Sequence, residues 1–314
     1  MNKEGKKIII TGVYRSGTEY FTAYLNKAKK INLKMYGTNF LRHLAHVRRT
    51  GEKDLAPFLM EHMASRHNLK INLPLICPSD YVGILKNHQK LLELVTDELL
   101  KNTILGEKIQ LVWREIEELL LYDQSYFVII LVRDPRAIMA SYKNFTYHEK
   151  PLYLSSTLNA LDCMVTAASL KNQFPDNILI VKFEEFLLEK NRELAKIEAL
   201  LNTKLTFDSE LSDAGKAWFG NSNYSDMSPK RIISGWRTEL NKNEIRFSDH
   251  FTSEIMADFG YSPNGKNLSL EELLANLNIG PKNEWLLKAI YSSTPNKAGI
   301  QAFPEEQGES DFKK

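Results

Sequence analysis

The sequence predicts an α/β protein, in a three-layer α/β/α arrangement with a central parallel sheet. Four apolar, β-branched runs are continuous rather than alternating, which is typical of strands buried on both faces. Helical patterns such as LLELVTDELL (91–100) and VWREIEELLLY (112–122) lie between them, and this alternation favours parallel strands joined by helices. The strand-like runs are KIIITG (7–12), KNTILG (101–106), SYFVIILVR (125–133) and NILIVKF (177–183).

Length and charge limit the classes of function. A chain of 314 residues with 43% hydrophobic content is long enough for one large core. Its 41 basic and 39 acidic residues leave a net charge of +2, so no global field draws it to nucleic acid or to an anionic membrane. Any anion that the protein binds must therefore be held by local groups.

Cysteine content and hydropathy bear on the compartment. Cys77 and Cys163 are far apart and outside metal-ligand spacing, so we expect neither a disulfide framework nor a metal site. No stretch approaches the roughly 20 apolar residues of a membrane span, and the start of the chain lacks the apolar segment of a signal peptide. We expect a soluble, cytoplasmic protein.

The order of patterns along the chain predicts one domain with an appended segment. We assign residues 1–262 to the domain, within which residues 38–100 are a mostly helical excursion where a substrate would be selected. Residues 263–314 are predicted to form a C-terminal extension, helical around SLEELLANL (269–277) and flexible afterwards.

The first run ends in a glycine turn. Gly12 and Gly17 enclose a G-x4-G loop between a strand and a helix, which directs backbone N–H groups at one anion, as in P-loop NTPase-like folds. A Walker loop would continue with lysine and then with a magnesium-binding hydroxyl. Thr18 and Glu19 occupy those positions, which disfavours a metal-dependent NTPase, while Arg15 supplies a permanent cation.

A second anion site is predicted where the strand-like run VIILVR reaches Arg133. Asp134 and Pro135 are typical of a helix start. Ser141 would then lie less than two turns into that helix, about 9 Å along its axis. Arg133 and Ser141 could therefore hold one phosphate together.

These two motifs resemble the sulfotransferase family that uses 3′-phosphoadenosine 5′-phosphosulfate (PAPS). YRSGTEYF (14–21) is similar to the family loop that binds the 5′-phosphosulfate, and RDPRAIMASY (133–142) to the motif that binds the 3′-phosphate. The segments ILGEKIQLVWREIEELL (104–120) and WFGNSNYSDMSPKRIISGWRTEL (218–240) extend the resemblance over roughly residues 7–261.

The resemblance implies a role for each matching residue. The 5′-phosphosulfate would lie on four loop residues, the 3′-phosphate on two residues of the second motif, and one of two basic residues would close over that phosphate. Ile232 replaces the glycine that usually follows this basic pair. The four loop residues are Arg15, Ser16, Gly17 and Thr18. The two residues of the second motif are Arg133 and Ser141, and the closing residue is Lys230 or Arg231.

Lys108 matches the family's active-site lysine, but the general base departs from the family patterns. Gln110 stands where cytosolic members have a histidine, and an amide cannot accept a proton at neutral pH. The remaining base candidates are His88, Glu19, His43 and Glu107.

The resulting prediction is metal-free transfer of a sulfuryl group from PAPS to a hydroxyl or amine of a small-molecule or carbohydrate acceptor. Two alternatives stay open at this point: a P-loop small-molecule kinase, and a non-catalytic nucleotide-binding homologue. The sequence does not predict an oligomeric state.

Overall fold

The computed structural model describes residues 6–35, 37–99, 103–145, 151–207, 228–263, 268–280, 283 and 286–287. A sheet of five parallel strands with the order β2-β3-β1-β4-β5 forms its centre. Helices flank this sheet, which confirms the predicted fold class. The strands are β1 (Lys7–Gly12), β2 (Ile31–Met35), β3 (Ile104–Lys108), β4 (Tyr126–Val132) and β5 (Ile178–Lys182).

Thirteen α-helices follow the strands or connect them in the described part of the chain. In chain order they are α1 (Thr18–Leu25), α2 (Phe40–Thr50), α3 (Ala56–His67), α4 (Tyr81–Thr96), α5 (Ile116–Tyr122), α6 (Pro135–Phe145), α7 (Ser155–Gln173), α8 (Phe183–Leu188), α9 (Lys190–Leu201), α10 (Pro229–Ser234), α11 (Trp236–Glu239), α12 (Lys242–Asp258) and α13 (Leu270–Asn276).

Alternate residues of β1 divide the core into two layers. Ile9 packs with the apolar side chains of α2, α4 and α7, whereas Ile8 and Ile10 pack with those of α1 and α9. All three side chains are fully buried, as the continuous apolar run predicts for a strand between two helical layers.

The sequence reasoning missed β2. Its sequence INLKM alternates in burial and it lies at the edge of the sheet, where it pairs only with β3. An edge strand with one covered face lacks the unbroken apolar run that revealed the other four strands.

The sheet brings the predicted motifs to one edge. Gly12, Lys108 and Val132 end β1, β3 and β4, which are neighbours in the sheet. Since parallel strands share the same direction, the loops that follow them meet at the carboxyl edge, where α/β proteins bind ligands.

A third apolar cluster links the C-terminal helices to α6. Leu274 near the end of α13, with Ile279 and Leu286 beyond it, packs with Met139 of α6 and Phe247 of α12. The predicted short helix in the extension is therefore present as α13, and residues 288–314 lie outside the described residues. No helix in the described part of the chain is long and apolar enough to cross a bilayer.

Candidate active site

The loop between β1 and α1 has a strained backbone. Arg15 is in the left-handed region at φ 69°, and Gly17 follows at φ 95° as the residue before α1. Both the backbone N–H and the hydroxyl of Ser16 donate to the carbonyl of Val13, at 3.1 and 2.7 Å. The loop is thereby folded back on itself in front of the helix N-terminus, the arrangement that binds an anion.

Glycine is required at position 17 by space as well as by φ. A Cβ atom there would lie 2.5 Å from ring carbons of Phe183, the first residue of α8. The end of β5 therefore fixes how closely the loop approaches the sheet, and a side chain at this position would push the loop away.

The two predicted anion motifs contact each other directly. Arg15 Nε donates to Ser141 Oγ on α6 at 3.0 Å. In return, Arg133 Nη1 donates to the carbonyl of Arg15 at 2.8 Å. Both arginines therefore lie together beyond the carboxyl ends of β1 and β4, in a region that we call the cleft.

Arg133 also reaches the segment predicted to close over the 3′-phosphate. Its Nη2 donates to the carbonyl of Ile232 in α10 at 2.6 Å. Of the two basic residues considered for closing, Lys230 is exposed, whereas Arg231 pairs with Glu239 and donates to Thr238 Oγ1. The structure thus places α10 beside the cleft, and the choice between Lys230 and Arg231 stays a prediction.

Lys108 lies on the other side of the loop. Its side chain is only 2% exposed, and its Nζ donates to Gln110 Oε1 at 3.1 Å and lies 3.5 Å from Glu19 Oε1. Gln110 Nε2 in turn donates to Thr18 Oγ1 at 3.2 Å. The structure therefore brings Lys108 and Glu19 together at the start of α1, and it does not show Lys108 as an exposed surface lysine.

His88 does not join this group. It lies in the middle of α4, and both His88 and Glu107 have fully buried side chains. Glu107 precedes Lys108 on β3, so the two side chains point to opposite faces of the sheet. His88 is on the Glu107 face, away from Lys108, and its role as a base stays a prediction.

His88 and Glu107 form a buried hydrogen-bond network. His88 Nε2 and Thr38 Oγ1 each donate to Glu107 Oε1 at 2.7 Å. An ionised carboxylate can only accept, so His88 donates from Nε2 and its Nδ1 accepts the hydroxyl of Tyr126 at 2.5 Å. Glu107 Oε2 accepts the backbone N–H of Asn39 at 2.8 Å, just before α2.

The pKa shifts in this network match its hydrogen bonds. Burial lowers the pKa of His88 more than Glu107 raises it. Burial alone would raise the pKa of Glu107, but donors from His88, Thr38 and Asn39 outweigh it and leave that pKa lowered. A neutral imidazole beside an ionised carboxylate therefore holds the start of α2 in place.

His43, another base candidate, lies on α2 close to the first loop. Its neighbour Arg42 donates to the hydroxyl of Tyr14 in that loop at 2.6 Å. Burial, with smaller effects from His62 and Arg42, lowers the pKa of His43 to about 4. This histidine is therefore neutral near pH 7.

Sequence reasoning missed Glu184 in α8. Its Oε1 accepts the backbone N–H of Asp134 at 3.0 Å and its Oε2 accepts the hydroxyl of Tyr261 at 2.8 Å. Burial raises the pKa of Glu184, although the nearby Arg133 acts in the opposite direction. The acidic pair Glu184-Glu185 directly after the strand-like run NILIVKF was the available signal.

Metal ligation has no support in the described residues. No group of three or more histidine, cysteine, aspartate or glutamate side chains is arranged there to hold an ion. The polar groups at the cleft are mainly cations, hydroxyls and a helix N-terminus, which are donors for an anion.

Comparison with known proteins defines the class. The sequence model described as "Sulfotransferase family" matches residues 7–207, and the chain belongs to this family. No curated protein matches the sequence.

One of the similar solved structures supports the fold. The sulfotransferase domain of the olefin synthase from Synechococcus PCC 7002 is 15% identical, with a TM-score of 0.53 over 83% of this chain and 97% of that one. Mouse sulfotransferase SULT7A1 complexed with PAP is 14% identical, with a TM-score of 0.46 over 81% of this chain and 86% of that one.

Proposed function

We propose that the protein transfers a sulfuryl group from PAPS to a hydroxyl or amine of a small-molecule or carbohydrate acceptor. Membership of the sulfotransferase family gives the class. The observation that carries the choice of donor is the mutual contact of the two anion motifs, Arg15 with Ser141 and Arg133 with the Arg15 carbonyl. One nucleotide with phosphate groups at both ends suits this pair of sites.

The donors at the cleft suit the two ends of such a nucleotide. The loop backbone, with Ser16, Gly17 and Thr18 at the start of α1, would hold the 5′-phosphosulfate, whose single transferred group needs no magnesium. Arg15 would hold the 5′-phosphosulfate together with this loop, while Arg133 and Ser141 would hold the 3′-phosphate. Lys230 or Arg231 would close over the 3′-phosphate from α10.

The reaction is an in-line displacement at sulfur. The acceptor oxygen or nitrogen forms a bond to sulfur while the bond from sulfur to the bridging oxygen breaks, and that electron pair stays on the 5′-phosphate. Lys108 Nζ is the cation that would donate to this leaving oxygen. The proton of the acceptor goes to a base, for which Glu19, near Lys108, is the candidate at the cleft.

The two alternatives differ in what they bind and in what they turn over. A P-loop kinase would bind ATP with magnesium, which Thr18 and Glu19 disfavour because they occupy the lysine and magnesium positions of a Walker loop. A non-catalytic homologue would keep the nucleotide cleft without turnover.

Thermal unfolding with added nucleotide tests the donor. Adenosine 3′,5′-bisphosphate at a hundredfold excess over its dissociation constant should stabilise the protein by about 2.7 kcal/mol. Stabilisation by ATP with magnesium in its place would contradict the proposal and favour a kinase.

An acceptor screen with labelled PAPS tests the transfer itself. We expect label in an alcohol, amine or carbohydrate, and no requirement for a divalent cation. Binding of the bisphosphate with no transfer across the screen would favour the non-catalytic homologue.

We also propose that residues 1–262 form the sulfotransferase domain and residues 263–314 its extension, and that the protein acts in the cytoplasm.

A further inference from the structure

Gln110 has both ends of its side-chain amide engaged inside the protein. Its Oε1 accepts from Lys108 Nζ at 3.1 Å, and its Nε2 donates to Thr18 Oγ1 at 3.2 Å. An ammonium group has only donors, so the oxygen must face Lys108 and the amide has one consistent orientation. The exposed fractions are 7% for Gln110, 2% for Lys108 and 1% for Thr18.

The main chain on both sides of Gln110 is fixed to β1. Ile109 donates its N–H to the carbonyl of Ile10 at 2.9 Å, and Leu111 donates to that of Gly12 at 3.3 Å. These bonds continue the pairing of β3 with β1 up to the first glycine of the loop. The backbone at Gln110 is therefore fixed to β1, and its side chain lies between the loop and Lys108.

Lys108 needs such a group because its own side chain has four rotatable bonds. Its Nζ lies between a neutral acceptor, Gln110, and a carboxylate, Glu19, whose side chain is 21% exposed. Without the amide, the ammonium would be free to pair more closely with Glu19, away from Thr18. The amide therefore limits how closely the ammonium approaches Glu19.

We propose that Gln110 is the positioning residue that holds Lys108 Nζ against the start of α1, where the leaving oxygen of the donor would lie. The proposal rests on the proposed function, since Lys108 acts chemically only if sulfuryl transfer occurs. It also explains why an amide suits this position. A carboxylate would neutralise the ammonium, and an imidazole would change its charge with pH.

The test replaces Gln110 with methionine, which has a similar length and no amide. Turnover with labelled PAPS should show kcat lowered about 10–100-fold, because misplacing a reacting group by about 1 Å costs about 100-fold. KM for the donor and the dissociation constant of adenosine 3′,5′-bisphosphate should change less than about threefold, because Gln110 reaches this site only through the Thr18 hydroxyl and the loop backbone that would hold the 5′-phosphosulfate is unchanged. Gln173→Ala, which removes an exposed glutamine bonded to Glu117, is the matched control.

A second readout does not depend on turnover. Competitive acetylation followed by mass spectrometry measures how fast Lys108 reacts relative to exposed lysines. We expect Gln110→Met to change the reactivity of Lys108 by about threefold or more, because an ammonium that has lost an acceptor is held differently. Gln110→Glu keeps an acceptor for Lys108, so the lysine should stay protected from acetylation while kcat falls.

The outcomes separate this proposal from the proposed function. If Gln110→Met keeps kcat within about twofold of the parent, or leaves the reactivity of Lys108 unchanged, the positioning role is overturned. If the parent protein transfers no sulfuryl group, the proposed function fails, and acetylation of Lys108 still decides whether Gln110 holds it. If Gln110→Met does not fold, Gln110→Asn carries the same test, because its shorter amide cannot reach both Lys108 and Thr18: unchanged kcat or unchanged reactivity of Lys108 overturns the role.

Discussion

Arg133 has a structural task besides the predicted binding of phosphate. Its two terminal nitrogens donate to main-chain carbonyls of Arg15 and Ile232, in the first loop and in α10. Because a guanidinium presents several donors in a fixed plane, it can join two segments and still face a ligand. Replacing it should therefore affect both stability and binding.

We expect Arg133→Ala to raise the dissociation constant of adenosine 3′,5′-bisphosphate about 10–100-fold, the value of one charge-assisted contact. The free energy of unfolding should fall by about 2 kcal/mol, because two carbonyls lose their donors. Titration calorimetry and urea unfolding measure the two effects. Arg192→Ala, on the exposed surface of α9, is the control, and equal behaviour of the two variants would contradict the prediction.

Glu19 is the second residue with a sharp test. Its carboxylate lies 3.5 Å from Lys108 Nζ at the start of α1. If it accepts the proton of the acceptor, Glu19→Gln should lower kcat about 100–10,000-fold, the usual contribution of a general base. Affinity for adenosine 3′,5′-bisphosphate should stay equal or rise, because a negative charge near the phosphate groups is removed.

Glu198→Gln removes a carboxylate of α9 that pairs with Lys204 and serves as the control for Glu19→Gln. Steady-state turnover with labelled donor is the measurement. Full turnover by Glu19→Gln would exclude Glu19 as the base. His43, which is neutral and lies on α2, would then be the next candidate.

At the scale of the elements, the start of α2 depends on a buried carboxylate from β3. Glu107 accepts from Thr38 and from the backbone of Asn39, and His88 of α4 completes the network. The network thus joins β3, α4 and the start of α2 at one point. Nothing in the sequence signals this, because each partner is remote along the chain.

The histidines beside this network should make stability depend on pH. Burial lowers the pKa of His43 from 6.5 to about 4. Between these pH values His43 is protonated in the unfolded chain and neutral in the folded chain. Stability is therefore lost as the pH falls from 6.5 towards 4, at up to about 1.4 kcal/mol per pH unit. The lowered pKa of the buried His88 acts in the same direction.

We expect His43→Gln to lose about 2 kcal/mol less stability than the parent between pH 7.5 and 5.0. Glutamine is uncharged in both states, so the contribution of this position disappears while that of His88 remains. Urea unfolding at the two pH values provides the comparison. Parallel losses in the two proteins would show that His43 does not carry the effect.

The elements themselves differ in how well the sequence predicted them. The runs containing Ile8–Ile10 and Val128–Leu131 became central strands, because a strand covered on both faces must be apolar throughout. The edge strand β2 was missed because its exposed face admits Asn32 and Lys34. The burial of His88 was missed because helical periodicity does not show which neighbour supplies a polar partner.

At the scale of the whole molecule, the sheet order explains why the meeting of the two anion motifs could be predicted. Strand-to-helix junctions all fall at one edge of a parallel sheet, so Arg15 and Ser141 meet although they are 126 positions apart. Side-chain pairing within the site was not predictable in this way. The contacts of Lys108 with Glu19 and Gln110 depend on how α1 sits against β3, which no local pattern specifies.

The C-terminal segment should contribute to stability. Leu274, Ile279 and Leu286 are buried in the cluster that includes Met139 of α6, the helix that carries Ser141. Each such side chain contributes about 1.5–3 kcal/mol on burial, so deleting residues 263–314 should lower the free energy of unfolding by roughly 4 kcal/mol or more.

Urea unfolding of two truncated chains tests this contribution. Deletion of residues 288–314 keeps all three side chains and is the matched control. Equal stability of the two truncated proteins would show that residues 263–287 are dispensable for the packing of α6.

The position of β1 has a consequence for biosynthesis. This strand leaves the ribosome first, yet both of its neighbours, β3 and β4, lie between residues 104 and 132. The consecutive isoleucines Ile8–Ile10 therefore stay without strand partners until translation reaches β3, which begins at residue 104. During that interval the nascent polypeptide exposes an aggregation-prone segment, and a chaperone that shields short aliphatic stretches would raise the yield of native protein.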